Sequence, residues 1–363
     1  MTEKIQPSLR WGVIGTGWIA TEFTRDLLLD RPDARASHSF VAIGSSSTQK
    51  GNTFVSTIWA SASSSAPRPT VYDDYHSVYN DPNVDIVYIG TPHALHAQSC
   101  LDAIAAGKHV LCEKPLTINE KEAQTVIAAA KEKGVFLMEA VWTRFFPLVS
   151  SLHSILHVEK RVGGLHRLFC DFGLDMQMST LSPTSRVKDP ALGAGALLDI
   201  GIYCLTLARV ILDGKAGVEA SEPEVMSTMT IVDGIDYSDV VILSYPPSET
   251  QPQRTAICTA TVLHKSPEDF CRVEGDLGSV TVFGRTAAAP FGFRIKLNES
   301  VEEEVLEFER PGMGFHYEAD AVALDIAEGR RENAIMPLEE TARMMRLMDR
   351  VRKANGVKYP QDD

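Results

Sequence analysis

Over its first 140 residues the chain alternates short apolar runs with longer stretches in which apolar positions recur at helical spacing. Leu9–Ile14 is an apolar run ending on Gly15, which predicts a buried strand. Trp18–Leu29 carries the helical period, and Phe40–Ile43 reads as a second strand. Val84–Ile89, closed by Gly90-Thr91-Pro92, predicts a third, and His96–Ala106 a helix that stops at Gly107. His109–Cys112 is a strand, Asn119–Lys133 a helix ending at Gly134, and Val135–Met138 another strand. Strands alternating with helices in this way predict a Rossmann-type, doubly wound parallel sheet, and the alternation ends near Ala140.

The pattern then changes. Leu165–Phe172, Glu224–Ile231, Asp239–Ser244, Thr255–Leu263, Phe270–Glu274 and Ser279–Phe283 read as strands. Only Ala194–Leu212, Tyr317–Glu328 and Leu338–Asn355 read as helices. Many strands with few long helices predict an open-faced, mostly antiparallel sheet covered on one side. A chain of 363 residues exceeds one compact core, so two domains are expected, the alternating part over 1–140 and the strand-rich part over 141–363. An apolar sheet face without covering helices predicts a homodimer. The biased segment Ala60–Pro69 (ASASSSAPRP) predicts a surface loop extending the second crossover.

Composition narrows the function. A net charge of −13 argues against a surface for nucleic-acid phosphates or anionic membranes, both of which need basic patches. There is no uninterrupted eighteen-residue apolar run, and the start Met1-Thr2-Glu3-Lys4 has no signal-peptide core. Six scattered cysteines without a CxxC pair read as buried thiols in a reducing compartment, which predicts a cytoplasmic protein.

The glycine turn Gly15-x-Gly17-x-x-Ala20 follows a strand and opens a helix. Gly15 permits the tight turn, Gly17 lets backbone approach a pyrophosphate, and Ala20 allows close helix–sheet packing. Trp18 and Ile19 begin the helix beside that phosphate site. At the end of the second strand a carboxylate would bind the ribose hydroxyls of NAD. Here the chain reads Ser45-Ser46-Ser47-Thr48, with Lys50 beyond, and hydroxyls without a carboxylate accommodate a 2′-phosphate, favouring NADP over NAD. Thr91, Pro92 and His96 follow the third strand at the sheet's carboxyl edge, where they flank the nicotinamide or its ribose. His153 and His157 have the i, i+4 spacing of a zinc helix, but no glutamate follows His153, so a solvated helix face is the better reading and no metal is expected.

Glu113-Lys114-Pro115 ends the His109–Cys112 run. A strand-end lysine beside a nicotinamide can lower a phenol's pKa and hydrogen-bond a substrate hydroxyl. Asp199 and Tyr203 lie one helical turn apart, after Gly193-Ala194-Gly195, where backbone can be approached closely. A tyrosine with an ordinary pKa near 10 is a poor base at neutrality, and a nearby cation brings it into range.

At these residues the chain resembles the glucose–fructose oxidoreductase, inositol dehydrogenase and rhizopine-catabolism (Gfo/Idh/MocA) family. The matching pieces are Gly12–Ala20, Gly107–Pro115 and Gly195–Tyr203, and Tyr317–Ala321 and Pro337–Thr341 resemble its two closing helices. Tyr203, where many members carry histidine, together with Met138–Phe145, is similar to the branch of dimeric dihydrodiol dehydrogenases and NADP-dependent D-xylose 1-dehydrogenases. The resemblance implies Lys114, Asp199 and Tyr203 around the substrate, Glu113 and Lys114 near the cofactor, and a cis peptide before Pro115. It also implies a sugar or cyclic vicinal diol as substrate, with Trp142, Arg144 and Phe145 shaping the pocket. Three features depart from the branch: no arginine in the Ser45–Thr48 turn, Ala194 in place of a glycine, and a long Ala60–Pro69 segment. The same residues run in reverse would reduce a dicarbonyl or anhydro-sugar ketone. The family also holds NAD-using glycosidases and non-catalytic cofactor-binding regulators, and intact Lys114, Asp199 and Tyr203 argue against a regulator.

Overall fold

A computed structural model describes residues 6–60, 66–247 and 252–363. The middle of the expected Ala60–Pro69 loop, residues 61–65, and the start Met1–Lys4 lie outside them. In chain order the elements are β1 (Ser8–Ile14), α1 (Trp18–Leu27), β2 (Ser37–Gly44), α2 (Thr48–Trp59), β3 (Thr70–Tyr72), α3 (His76–Asn80), β4 (Ile86–Ile89), α4 (His96–Ala105), β5 (His109–Glu113), α5 (Glu120–Lys133) and β6 (Leu137–Ala140). There follow α6 (Pro147–His153), β7 (Leu165–Gly173), α7 (Ile202–Leu212), β8 (Glu224–Val232), β9 (Ile235–Tyr245), β10 (Arg254–Thr261) and β11 (Cys271–Gly275). The last are β12 (Gly278–Gly284), β13 (Pro290–Leu297), β14 (Glu303–Glu307), α8 (Phe315–Ala327) and α9 (Leu338–Ala354).

The first compact unit comprises Met1–Thr117, Lys121–Trp142 and Arg310–Leu338. Its six strands run parallel in the order β3-β2-β1-β4-β5-β6. The order reverses between β1 and β4, the switch point at which doubly wound sheets bind their ligands. Every residue of β4 is buried, as a strand covered on both faces requires, which is why its apolar run is continuous. Phe23 of α1 stacks on Tyr88 of β4 with ring centroids 3.8 Å apart. Asp26, also on α1, accepts the Met313, Gly314 and Phe315 N–H groups at 2.9, 2.6 and 2.9 Å and so caps the start of α8. Asp320 of α8 in turn takes Arg31 at 3.0 Å and His38 at 2.9 Å. These bonds place Arg310–Leu338 with the first unit although it follows most of the second in sequence, so a single cut at residue 140 does not describe the packing.

The second unit comprises Ile118–Glu120, Thr143–Glu309 and Glu339–Asp363. Its eight strands are ordered β14-β13-β12-β11-β7-β10-β9-β8, antiparallel except for the β7–β10 pair. Along β10, Ala256, Cys258 and Ala260 are buried on the side facing α7, while Thr255, Ile257, Thr259 and Thr261 are half-buried on the other. The same alternation along β9 leaves Ser238, Val240, Ile242 and Ser244 on that less covered face. All six cysteines are buried free thiols.

Ala194–Leu212, expected as one regular helix, is a π-turn at Leu197–Gly201 followed by α7. The stretch Pro190–Leu212 is long and apolar enough to cross a membrane, yet 94% of its most apolar 18-residue window is buried inside the fold. It is apolar all round because it is a core helix. His153 and His157 bond through Nε2 to the Gly214 and Ile211 carbonyls, each at 2.9 Å, and so cap the end of α7.

Candidate active site

At the switch point of the first unit, Gly15 adopts φ +88°, and a Cβ there would lie 2.7 Å from the Gly90 carbonyl oxygen. Only glycine fits, and β1 and β4 can therefore turn side by side. Ala20 performs the packing role its position suggests: a Cβ on Gly90 would sit 3.2 Å from the Ala20 methyl. Gly17 is different. Its added Cβ would meet no described atom within 4 Å, so protein packing does not demand a glycine there. Among the described residues no side chain caps α1, whose first N–H groups follow Gly17. Free N–H groups at a helix start beside an uncrowded glycine fit an anionic diphosphate. Trp18 is exposed at that helix start, and Ile19 is half-buried.

The β2–α2 turn divides its hydroxyls among distinct tasks. Ser45 is buried and lies 3.3 Å from the Thr16 hydroxyl. Ser47 caps α2 by accepting from the Lys50 N–H at 3.3 Å, and Thr48 begins the helix. Ser46 is reached by the Lys50 ammonium at 3.1 Å. An exposed hydroxyl–ammonium pair thus stands where the chain leaves β2.

Beyond β4, His96 is fully buried, with Nδ1 2.8 Å from the Pro115 carbonyl and Nε2 2.8 Å from the Thr91 carbonyl. Burial lowers its pKa, and a neutral imidazole donates through one nitrogen only. With a carbonyl at each nitrogen, the neutral ring donates to one of them and packs between the Thr91-Pro92 turn and the Glu113-Lys114-Pro115 turn. The Lys114–Pro115 peptide is cis. Lys114 itself is only 8% exposed, and its N–H donates to Glu113 Oε2 at 3.3 Å. Glu113 Oε1 accepts from the Tyr88 hydroxyl at 2.6 Å. Close by, burial and then the Glu113 charge push the carboxyl of Glu318 well above the usual range.

In the second unit Asp199 lies within the π-turn and Tyr203 just after it in α7. Asp199 Oδ2 is 3.4 Å from the half-exposed Arg186 guanidinium. Tyr203 is 4% exposed, its ring 5.8 Å from that of Phe172 on β7. Nearly two turns further on, Arg209 holds both carboxylate oxygens of Glu340 on α9 at 2.9 Å, and Arg144 approaches the same carboxylate at 3.1 Å. Burial alone would raise the carboxyl of Glu340, but hydrogen bonds from Arg209 and the two guanidinium charges hold it down at about 2.

The side chains read from sequence as pocket walls have packing partners of their own. Trp142 stacks on Phe315 within the first unit, centroids 4.3 Å apart, and Arg144 is committed to Glu340 in the second. Phe145 is the least buried of the three. Tyr88, Glu318, Glu340, Asp236 and Asp239 went unremarked in the sequence. No motif marks them: Glu340 lies in Glu339-Glu340-Thr341 and Asp236 and Asp239 in Asp236-Tyr237-Ser238-Asp239, and what makes each notable is a partner from a distant segment or burial itself.

A doubly wound sheet whose glycine turn opens a helix at the switch point is the frame of a dinucleotide-binding enzyme. Residues 9–141 match the model of an oxidoreductase family with an NAD-binding Rossmann fold. The trans-1,2-dihydrobenzene-1,2-diol dehydrogenase of Sus scrofa is 32% identical over 98% of this chain and 99% of its own. The D-xylose 1-dehydrogenase (NADP(+)) of Hypocrea jecorina is 32% identical over 98% of this chain and 94% of its own. The aldose-aldose oxidoreductase of Caulobacter crescentus shares the fold, with a TM-score of 0.78 at 24% identity over 96% of this chain and 97% of that one. The chain belongs to the glucose–fructose oxidoreductase, inositol dehydrogenase and rhizopine-catabolism family, and it is an NAD(P)-dependent oxidoreductase.

Proposed function

We propose that the protein is an NADP-dependent dehydrogenase that oxidises a CH–OH group of a sugar, a D-xylose-like aldopyranose at C1, or of a cyclic vicinal diol. The observation that carries the reading is a pair of buried groups able to handle a proton. One is Lys114 at the end of β5, and the other is Tyr203, buried in α7 just beyond Asp199. Similarity over nearly the whole length to a dihydrodiol dehydrogenase and a D-xylose dehydrogenase supports the substrate class.

In this reading the Gly15–Gly17 turn and the start of α1 hold the diphosphate, and Ser46 with Lys50 receives the 2′-phosphate. Ser45, Ser47 and Thr48 shape that turn, while Thr91, Pro92, His96 and Glu113 shape the wall beside it. When bound, the nicotinamide supplies a hydride acceptor. Tyr203 takes the proton of the reacting hydroxyl, Lys114 lowers the phenol's pKa and orients the hydroxyl, and Asp199 positions the neighbouring hydroxyls. Phe145 offers an apolar surface to the ring, with Trp142 and Arg144 fixing the segment that carries it.

A panel of aldopyranoses and trans-diols, followed at the absorbance band of reduced nicotinamide, tests the reading. Turnover with NADP and at least one of these substrates is expected. No reduced cofactor with any of them would remove the dehydrogenase assignment.

A further inference from the structure

The helix bearing Asp199 and Tyr203 begins on a carboxylate from another element. Asp236, the second residue of β9, is fully buried, and its Oδ2 accepts from the Leu197 N–H at 2.6 Å. That N–H is one of those that open a helix without an internal partner. Gly195 makes the approach possible: a Cβ there would lie 2.2 Å from Asp236 Oδ1, and its φ of +134° is a glycine conformation. The same Cβ would lie 3.0 Å from the Tyr359 hydroxyl, which donates to the Ala194 carbonyl. Residues 194–197 are therefore held by Asp236 and by Tyr359. The π-turn follows at once, with Asp199 inside it and Tyr203 beyond. Such turns are rare and frequently lie at functional sites.

We propose that Asp236 is a positioning residue: by fixing the first turn at Leu197 it sets, through the π-turn, where the Asp199 carboxylate and the Tyr203 hydroxyl stand. The proposal rests on the roles given above to those two residues. The groups facing Asp236 are Asp239 on its own strand, Arg352 of α9, Tyr359 beyond it, and the Ala196 and Leu197 N–H groups. Burial raises the Asp236 pKa to about 7 against the lowering effect of the N–H groups and Arg352. Asp239 is pushed well up by burial and then by the Asp236 charge. Asp236 is thus placed to change charge near neutrality. As an anion it is the stronger acceptor for a helix N-terminus.

The test uses the whole protein with Asp236→Ala, Asp236→Asn and Tyr203→Phe. Amide exchange over residues 195–203, read by mass spectrometry, is measured beside kcat and KM across the pH range. Asp236→Ala should speed exchange in that segment and lower kcat about tenfold or more, leaving the cofactor KM unchanged. Asp236→Asn keeps an acceptor, so it should recover most of kcat and lose the inflection near neutrality. Three results would overturn the proposal: wild-type exchange in Asp236→Ala, faster exchange with unchanged kcat, or an Asp236→Asn pH profile that superimposes on the wild type. If Asp236→Ala fails to fold, the Asp236→Asn profile decides alone. Full turnover in Tyr203→Phe would instead remove the Tyr203 role, and the exchange measurement reads the Asp236 contact independently of it.

Discussion

Glu340→Gln is the most quantitative test of how the Tyr203 helix is anchored. Glu340 is fully buried, bonded by Arg209 through two hydrogen bonds, by Arg144 through one, and by the Gly217 N–H at 3.0 Å. Its carboxyl falls from an ordinary 4.5 to about 2 in the fold. At about 1.4 kcal/mol per pH unit this corresponds to roughly 3 kcal/mol of stability. Removing one partner from a buried ion pair typically costs about 3–5 kcal/mol, which agrees. For a unit of this size the loss should lower the melting temperature by about 10 °C. Because the carboxyl pKa is depressed in the fold, the contribution is complete above the unfolded value of 4.5 and fades as pH falls towards 2. Calorimetry across pH should therefore show a constant gap between wild type and Glu340→Gln near neutrality that narrows in acid. A melting temperature within about 2 °C of wild type at neutral pH, or a gap that does not narrow, would refute the reasoning.

Three further outcomes follow from the same structure. Lys50→Ala should weaken NADPH about tenfold in a fluorescence titration and leave NADH unchanged, because only the 2′-phosphate meets the ammonium; equal losses for both cofactors would remove Lys50 from that site. Ser46→Asp should reverse the preference towards NADH, since a carboxylate repels the phosphate and accepts from ribose hydroxyls; NADPH binding as tight as before would count against this turn as the selector. Sedimentation at micromolar concentration should give twice the chain mass of 39.8 kDa, with Ile242→Lys on the half-buried face of β9 shifting it to monomer; a wild-type monomer would contradict a dimer built on that face.

The elements visible in the sequence are those whose burial leaves a simple pattern. Ile86–Ile89 and Val110–Cys112 are continuous apolar runs because their strands are covered on both faces. Thr255–Leu263 alternates because one face of β10 meets α7 and the other does not. What escaped has local reasons. β14 reads Glu-Glu-Val-Leu-Glu on an exposed edge, β13 opens with Pro290 and contains Gly292, and α2 mixes Gly51 with β-branched residues that are poor helix formers. The π-turn at Leu197–Gly201 has no sequence period distinct from a helix, and its support by Asp236 joins residues 39 positions apart. The glycine turn and Glu113-Lys114-Pro115 were legible because strand ends carry few alternatives. Trp142 and Arg144, expected at the pocket, also serve packing and ion pairing, and only the fold reveals Phe315 and Glu340 as partners.

The central claim is that Tyr203 transfers the proton and Lys114 supports it. Tyr203→Phe removes only the hydroxyl, so the ring keeps its place beside Phe172 and cofactor affinity should not change. Turnover with the best substrate of the panel should fall by about 10²–10⁴-fold, the usual contribution of a positioned acid–base group. Lys114→Met should remove most turnover and move the residual activity to higher pH, because the phenol would lose its cation. The decisive measurement is kcat against pH for wild type and both variants. Loss of turnover in Tyr203→Phe, with the alkaline displacement in Lys114→Met, is the result this account predicts. Near-normal activity in Tyr203→Phe would contradict it and send the proton by another route.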